Sequence, residues 1–467
     1  MSLANSTPPV VSGALPFVGH VRQFQRERKK LLWRGYREHG DVFAIKLGPT
    51  YVAVVNGATY NRTFYSETDN ALNLREAYTF LEAALGSVTL TARKEDYYNQ
   101  RPVLQEIFRR EHMHFYIHAM NIEVQRWLES LGDAGTTNLT DDMLHLTQAV
   151  AGHALIGATF REELGKTFWE DYRAIANSLD FVLPTHLPLP KFIRRDRAKQ
   201  RLREAMLPVI QKRRQRPDQY DDLIKSLLTT PLKDGNYLDD YTIVLFFIGL
   251  LFAGHETTAG QAGWTIILLL QHPEYLARVQ SEIDHQVHTE VPIDGALLSR
   301  LKSIYWAIDE TTRLRPSANM QMRVVEQPLT LGSYTIPSGW RVMVNADISH
   351  HLPDVFTNPE QFDPLRFAPE RNEGKNTFSM VGFGGGIHKC TGMNFAKNEM
   401  AIIITRLFQQ FDVELVTQAP QVVVGKGASH PSETWIRYRR KSERVRDIET
   451  HAESPDIAGC PHAVQHT

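Results

Sequence analysis

Residues 383–392 read Phe383-Gly384-Gly385-Gly386-Ile387-His388-Lys389-Cys390-Thr391-Gly392 and hold one of two cysteines in the chain. Three consecutive glycines permit a tight turn whose backbone N–H groups are free to point at sulfur. A helix is predicted to open directly afterwards, with Met393, Ala396, Met400, Ile403 and Leu407 on one face. Its positive N-terminal end and the turn's N–H groups would both stabilise a thiolate. Hydrogen bonds to a metal-bound thiolate also set how strongly it donates electron density to the metal. Zinc needs more ligands than Cys390 and the neighbouring His388 supply. A single thiolate suits the axial position of a haem iron better. The second cysteine, in Cys460-Pro461-His462, sits in a polar tail, where metal binding is the weaker reading.

A second stretch, Ala253-Gly254-His255-Glu256-Thr257-Thr258, interrupts a long apolar run between Asp239, a helix N-cap, and Pro273, a helix stop. Roughly 33 residues at about 1.5 Å each make a helix near 50 Å long, which must cross the whole molecule. Its flanks, Ile243 with Leu245–Ile248 and then Ile266–Leu270, are apolar nearly all round, so the helix is buried. In such a setting Gly costs about 1 kcal/mol against Ala. A buried carboxylate costs more unless it is solvated or paired. Two readings stand. One is a kink, with Thr257 bonded back to the previous turn. The other is a site, where Ala253 and Gly254 admit a flat ligand and Glu256 and Thr257 supply a proton path.

The elements that must carry these residues follow from patterning. Gln23–His39 has helical spacing and a basic face of Arg26, Arg28, Lys29 and Lys30. Val42–Leu47 and Tyr51–Val55 alternate as strands around a Gly48-Pro49 turn. From about Lys94 to Leu314 the pattern is overwhelmingly helical. Strand-like pieces return at Gln321–Val325, Leu329–Ile336 and Arg341–Ala346, and later at Phe411–Leu415 and Val422–Val424. Helices dominate, so the fold class is α+β, mainly α. Length alone would allow about three domains, but no linker or low-complexity stretch divides the chain. One domain over residues 1–440 is expected, β-rich near 40–75 and 320–365 and helical near 94–315 and 390–410. A loosely ordered tail would occupy 441–467.

Composition narrows function further. With 42% hydrophobic and 22% charged residues, the chain has material for a large core and is neither disordered nor a disulfide scaffold. Lys+Arg 52 against Asp+Glu 53 gives net charge −1, so no chain-wide basic field for nucleic acid exists. Neither a signal peptide nor a membrane anchor is expected at the N-terminus, and the longest apolar stretch reads as too short to span a bilayer before His255 and Glu256. A soluble, intracellular, cytoplasmic monomer is expected.

The cysteine loop resembles the haem-ligating signature of the cytochrome P-450 monooxygenases, Phe-x-x-Gly-x-(Arg/His)-x-Cys-x-Gly, through Phe383, Gly386, His388, Cys390 and Gly392. The long helix is similar to the family's oxygen-activating (Ala/Gly)-Gly-x-(Asp/Glu)-Thr. Glu310-Thr311-Thr312-Arg313 resembles its Glu-x-x-Arg, and Phe362-Asp363-Pro364-Leu365-Arg366-Phe367 its downstream partner. Alone, Glu310 and Arg313 would be a solvated ion pair on one helical face. In this order, with Arg366, the resemblance implies a buried network supporting the cysteine loop. These ordered motifs span about Pro8 to Arg437.

The resemblance implies haem b (iron protoporphyrin IX) held by Cys390, with propionates met by Arg101, Arg323 and His388 and with Tyr97 where the family often has Trp. Any one of these cations could instead be an ordinary surface charge. It also implies dioxygen as co-substrate, insertion of one oxygen atom into a C–H bond, and protons delivered through Glu256 and Thr257. No dinucleotide or flavin motif is visible, so a separate ferredoxin or flavoprotein reductase is expected to supply electrons. Lys389, Lys397, Arg109 and Arg110 are either its docking patch or a solvated face.

Pro8–His20, Tyr78–Leu81 and Leu187–Phe192 with Arg194, Arg195 and Asp196 are similar to the sterol 14-demethylase branch. Glu256 stands where that branch has His, and Ala83 and Leu85 stand where it has Pro and Phe. The pocket wall is expected to include Tyr78, Phe80, Leu81, Phe181, Phe252, Ala253, Met320 and Met322, unless these simply pack the core. Such a wall suits a sterol, terpenoid or long-chain lipid. A peroxide-driven haem-thiolate enzyme would not need the acid–alcohol pair. A non-catalytic haem sensor would be expected to carry an output module.

Overall fold

The computed structural model describes residues 6–164, 167–180, 183–288, 291–425 and 428–441. The chain opens with α1 (Val21–Arg26), α2 (Arg28–His39), β1 (Val42–Leu47), β2 (Thr50–Val55), α3 (Gly57–Ser66) and β3 (Leu72–Asn73). Next come α4 (Thr79–Leu85), α5 (Lys94–Ile107), α6 (Met113–Leu131), β4 (Ala134–Asn138), α7 (Leu139–Ile156), α8 (Phe160–Leu164) and α9 (Phe168–Asn177). Then follow α10 (Pro190–Gln215), α11 (Leu223–Thr229), α12 (Asp240–Gln271), α13 (Pro273–Gln286), α14 (Gly295–Leu298) and α15 (Lys302–Leu314). The remainder is β5 (Met320–Val325), β6 (Leu329–Leu331), β7 (Tyr334–Ile336), β8 (Arg341–Asn345), α16 (Ala346–Ser349) and α17 (Met393–Gln410). Four strands close the chain: β9 (Phe411–Leu415), β10 (Val422–Val424), β11 (Ser429–Pro431) and β12 (Trp435–Arg440). The fold is α+β and mainly α.

One five-stranded sheet has the order β1-β2-β8-β5-β3. Its β1–β2 hairpin is antiparallel with Leu47 opposite Thr50, while β2 and β8 run parallel with Val52 opposite Arg341. Alternation along β1 and β2 sends Val42, Ala53 and Val55 into one apolar cluster and Phe43, Ile45, Val52 and Val54 into another. A three-stranded sheet, β4-β12-β9, joins two strands that the pattern did not anticipate. Ala134–Asn138 lacks an apolar alternation of its own and becomes a strand through pairing with Trp435–Arg440, far away in sequence.

Asp239 caps α12 as expected, its Oδ1 accepting the Thr242 N–H at 2.9 Å. At 32 residues the helix is about 48 Å long. It ends at Gln271, and Pro273 opens α13 rather than merely stopping α12. Composition and length alone would let α12 cross a membrane, but 67% of its apolar window is buried inside the fold. Its N-terminal half, Ile243 to Leu251, packs in a core shared with α5, α9, α10 and α11. From Ala259 onward it packs in a second core with α6, α7, α15 and α17. Phe252–Thr258 fall between the two cores, and that gap locates the site.

Candidate active site

At this junction Ala253 and Gly254 lie exposed in the middle of an otherwise buried helix. A Cβ added to Gly254 would meet nothing within 4 Å. Thr257 Oγ1 donates to the Ala253 carbonyl at 2.7 Å, the back-bond expected of a hydroxyl in a helix. Ser317 Oγ donates to the Thr257 carbonyl at 3.0 Å, and Gln261 Nε2 reaches Ser317 Oγ at 3.2 Å. Thr312 Oγ1 donates to Gln261 Oε1 at 3.1 Å, so the helix midpoint is tied to α15 and to the approach to β5. Burial raises the Glu256 carboxyl pKa, and the charge of His430 opposes that rise. His430 lies on β11, which presses on α12 at Gly260, where a Cβ would come within 2.7 Å of the Ser429 carbonyl. His255 is directed away, its Nδ1 3.3 Å from the Tyr172 hydroxyl, and burial lowers its pKa to about 4.

The cysteine loop folds back on itself through the Cys390 N–H, which donates to the Phe383 carbonyl at 2.9 Å. Gly384 and Gly386 take φ of +71° and +62°, where a side chain is strained. A Cβ on Gly385 would strike the Tyr65 ring at 2.7 Å. The glycines therefore let the loop lie flat on α3. Cys390 is exposed along one side, yet the protein around its sulfur raises the thiol pKa. The Gly392 N–H and the Lys389 charge act in the opposite sense.

Four predicted residues surround the same loop. The Tyr97 hydroxyl donates to the Ile387 carbonyl at 3.2 Å, and its ring sits 4.3 Å from that of His388. Arg101, one turn along α5, places its positive charge near the Tyr97 hydroxyl and opposes the rise in pKa that burial causes there. His388 Nε2 lies 2.7 Å from Asp69 Oδ2. Arg323 is buried on β5, with Nε donating to Thr68 Oγ1 at 3.2 Å and Nη1 to the Met322 carbonyl at 2.8 Å. Among the described residues Arg323 makes no carboxylate ion pair. A buried guanidinium without a counter-ion, a loop sulfur and the open Ala253–Gly254 surface fit an anionic macrocycle such as haem. Thr68 and Asp69 were missed by sequence reasoning. Their signal was a Thr-Asp-Asn turn, in which Asp69 takes φ +72°.

Behind the loop, Glu310, Arg313 and Arg366 are fully buried. Arg313 Nε and Nη2 grip Glu310 at 2.7 and 2.9 Å, and Arg366 Nε reaches Glu310 Oε1 at 3.1 Å. Arg313 Nη1 also donates to the His350 and Pro359 carbonyls. Arg366 Nη1 donates to the Thr357 carbonyl and to Glu373. A further residue missed in the sequence connects this network to the cysteine loop. His350 Nδ1 lies 3.1 Å from the Arg313 carbonyl, and its Nε2 accepts the Val381 N–H at 2.8 Å. These partners specify a neutral ring protonated on Nδ1.

Of the expected wall residues, Tyr78, Phe80 and Phe252 are half-buried at the edge of the N-terminal helical core, and Leu81 lies inside it. The Tyr78 hydroxyl accepts the Met322 N–H at 3.3 Å, joining this wall to β5. Met320 and Met322 are half-buried on β5. Phe181 and Cys460, with the tail beyond Lys441, fall outside the described residues. Lys397 is ion-paired to Asp309 and Arg109 to Glu106, while Lys389 and Arg110 are exposed.

A family model described as cytochrome P450 matches residues 8–433. The sterol 14alpha-demethylase of Mycolicibacterium vanbaalenii is 32% identical over 454 residues, covering 94% of this chain and 98% of that relative. The lanosterol 14-alpha demethylase of Bos taurus is 28% identical, over 94% of this chain and 88% of its own length. Obtusifoliol 14-alpha demethylase of Sorghum bicolor is likewise 28% identical, over 93% and 90%. Among solved structures, a retinoic acid-bound cyanobacterial CYP120A1 superposes with TM-score 0.84 at 25% identity, covering 94% of this chain and 100% of that one.

Proposed function

The chain belongs to the cytochrome P450 family and is a monooxygenase with haem b as its cofactor, and from that premise we propose that it oxidises a C–H bond of a sterol- or terpenoid-type lipid. The haem, when bound, supplies dioxygen activation and transfer of one oxygen atom; the second oxygen leaves as water after two electrons and two protons arrive. A redox partner delivers the electrons. In this reading Cys390 would hold the haem iron, because its sulfur is accessible on the loop that the buried ion-pair network supports. Arg323, Arg101 and His388 would meet the haem's carboxylates, and Tyr97 fixes the His388 segment through the Ile387 carbonyl.

Glu256 and Thr257 move the protons. A carboxyl whose pKa is raised by burial carries its proton closer to neutral pH, and the Thr257 hydroxyl one residue on can pass it inward. The same pair favours dioxygen over peroxide, since a peroxide-driven reaction brings its own protons. The observation that carries the reading is the exposed Ala253–Gly254 surface between two cores of the long helix, with half-buried Phe252 beside it and Tyr78 tied to β5.

Substrate class rests on those apolar walls and on relatives named for demethylating lanosterol and obtusifoliol. The test is an optical titration of the purified ferric protein with sterols, terpenoids and fatty acids, followed by product analysis with a ferredoxin–reductase pair. A saturable high-spin shift with sterols or terpenoids and a monooxygenated product support the proposal. A shift with fatty acids only, or turnover with peroxide but not with dioxygen and reductant, overturns it.

A further inference from the structure

Helix α10 carries ten Lys or Arg against two acids, and most of that charge is answered within the fold. Arg201 pairs with Asp171, Lys212 and Arg213 with Glu163, and Arg214 with Asp240. Lys199 and Arg203, one turn apart, meet no carboxylate among the described residues. Lys199 Nζ donates instead to the Ala83 carbonyl at 2.8 Å, and the Arg203 guanidinium lies 5.1 Å from the centre of the Tyr241 ring. The two acids of the helix are engaged elsewhere. Asp196 accepts from Arg195 Nε at 2.7 Å and Nη2 at 3.1 Å, and Glu204 accepts from Gln200 Nε2 at 2.7 Å.

Both uncompensated cations border a cleft of about 150 Å³ between α10 and the N-terminal half of α12. Val244, Leu245 and Ile248 supply its apolar floor, and Tyr241 lines it beside Arg203. An apolar cavity of about this volume holds a benzene ring. Arginine presents a planar fork that matches a carboxylate, and lysine adds a compact positive charge. Burial and the neighbouring Arg195 depress the Lys199 pKa, while Asp196 opposes them, so an anion placed here would favour the charged lysine. The cleft is separate from the site at Ala253–Gly254, because Leu245 precedes Ala253 by about 12 Å along α12.

The cleft also reaches α4, which carries the expected wall residues Phe80 and Leu81. Ala83 lies in the last turn of α4, where carbonyls have no partner within the helix, and Lys199 caps it. Leu245 packs on the same end, since a Cβ on Gly86 would come within 2.6 Å of its Cδ1.

We propose that the α10–α12 cleft is an accessory binding site for a small amphipathic carboxylate. Its aromatic or short alkyl body rests on Val244, Leu245 and Ile248, and its carboxylate sits between Lys199 and Arg203. The carboxylate competes with the Ala83 carbonyl for Lys199, so occupancy loosens the helix that borders the substrate site. The site is independent of which lipid the enzyme oxidises.

The test is isothermal titration calorimetry of the full-length haem-loaded protein with octanoate, octanol and acetate, paired with amide hydrogen exchange of α4. Octanol lacks the charge and acetate lacks the apolar body, so each should bind at least about tenfold more weakly than octanoate. Arg203→Gln and Tyr241→Ala alter exposed side chains and should fold as the wild type does. Each should weaken octanoate binding about threefold to tenfold. Octanoate should speed exchange of the α4 amides in the wild type, and Lys199→Met should show that faster exchange without any ligand. Octanoate that binds no better than octanol overturns the proposal, as does octanoate that binds Arg203→Gln as tightly as wild type. Bound octanoate that leaves α4 exchange unchanged overturns the link through Lys199.

Discussion

His350 allows a stability effect to be worked from the structure. The ring is completely buried, and burial depresses its pKa from 6.5 to about 3. The geometry acts in the same direction, because a proton on Nε2 would face the Val381 N–H that this nitrogen now accepts. A folded-state value below the unfolded one means that the unfolded chain binds more protons, so stability rises with pH. The contribution is complete above 6.5 and is withdrawn as pH falls toward 3. At about pH 5 the unfolded imidazole has gained about 2 kcal/mol from protonation that the folded one cannot take. His255, depressed to about 4 by burial, follows the same sign and adds a comparable amount. Urea unfolding of the haem-loaded protein, followed by near-ultraviolet circular dichroism at about pH 8 and about pH 5, should show a loss near 4 kcal/mol from these two residues. His350→Gln cannot titrate. It should be less stable at the higher pH by about 1–3 kcal/mol, because one buried partner loses its hydrogen bond, yet lose about 2 kcal/mol less on acidification. Should the variant keep the full wild-type pH dependence, the neutral buried imidazole, and with it the link from ion pair to loop, is refuted.

Thr257→Ala removes a hydroxyl that donates to the Ala253 carbonyl, a group within the helix's own hydrogen-bonding frame. Stability should change by under about 1 kcal/mol, while product per electron pair falls about 10-fold to 100-fold and peroxide rises. Glu256→Gln should shift the same ratio, measured as product against reductant consumed. Arg366→Leu leaves Glu310 with one of its two arginines and should cost about 3–5 kcal/mol. The ferrous–carbonyl spectrum of that variant should lose its thiolate-ligated band, and an unchanged band would show that the network does not support the loop. Arg323→Leu should fold normally, since no carboxylate is orphaned, but release haem about 10-fold faster to apomyoglobin.

Much of this protein is legible one segment at a time. A cysteine behind three glycines, an acid and hydroxyls inside an apolar helix, and an i, i+3 ion pair before a Pro-Leu-Arg-Phe segment are local patterns. Their chemistry follows from residue type, because turn conformation, helical period and charge are properties of a few consecutive residues. The cap at Asp239 and the β1–β2 turn belong to the same class. Other features have no local cause. Ala134–Asn138 is a strand only because Trp435–Arg440 lies beside it. Asp69 and Thr68 matter because they sit next to His388 and Arg323, and His350 because α16 delivers it between Arg313 and Val381. Even the site's position on α12 follows from where two separately packed cores fail to meet. Pairing across hundreds of residues depends on which surfaces are buried together, and that is decided when the tertiary structure forms.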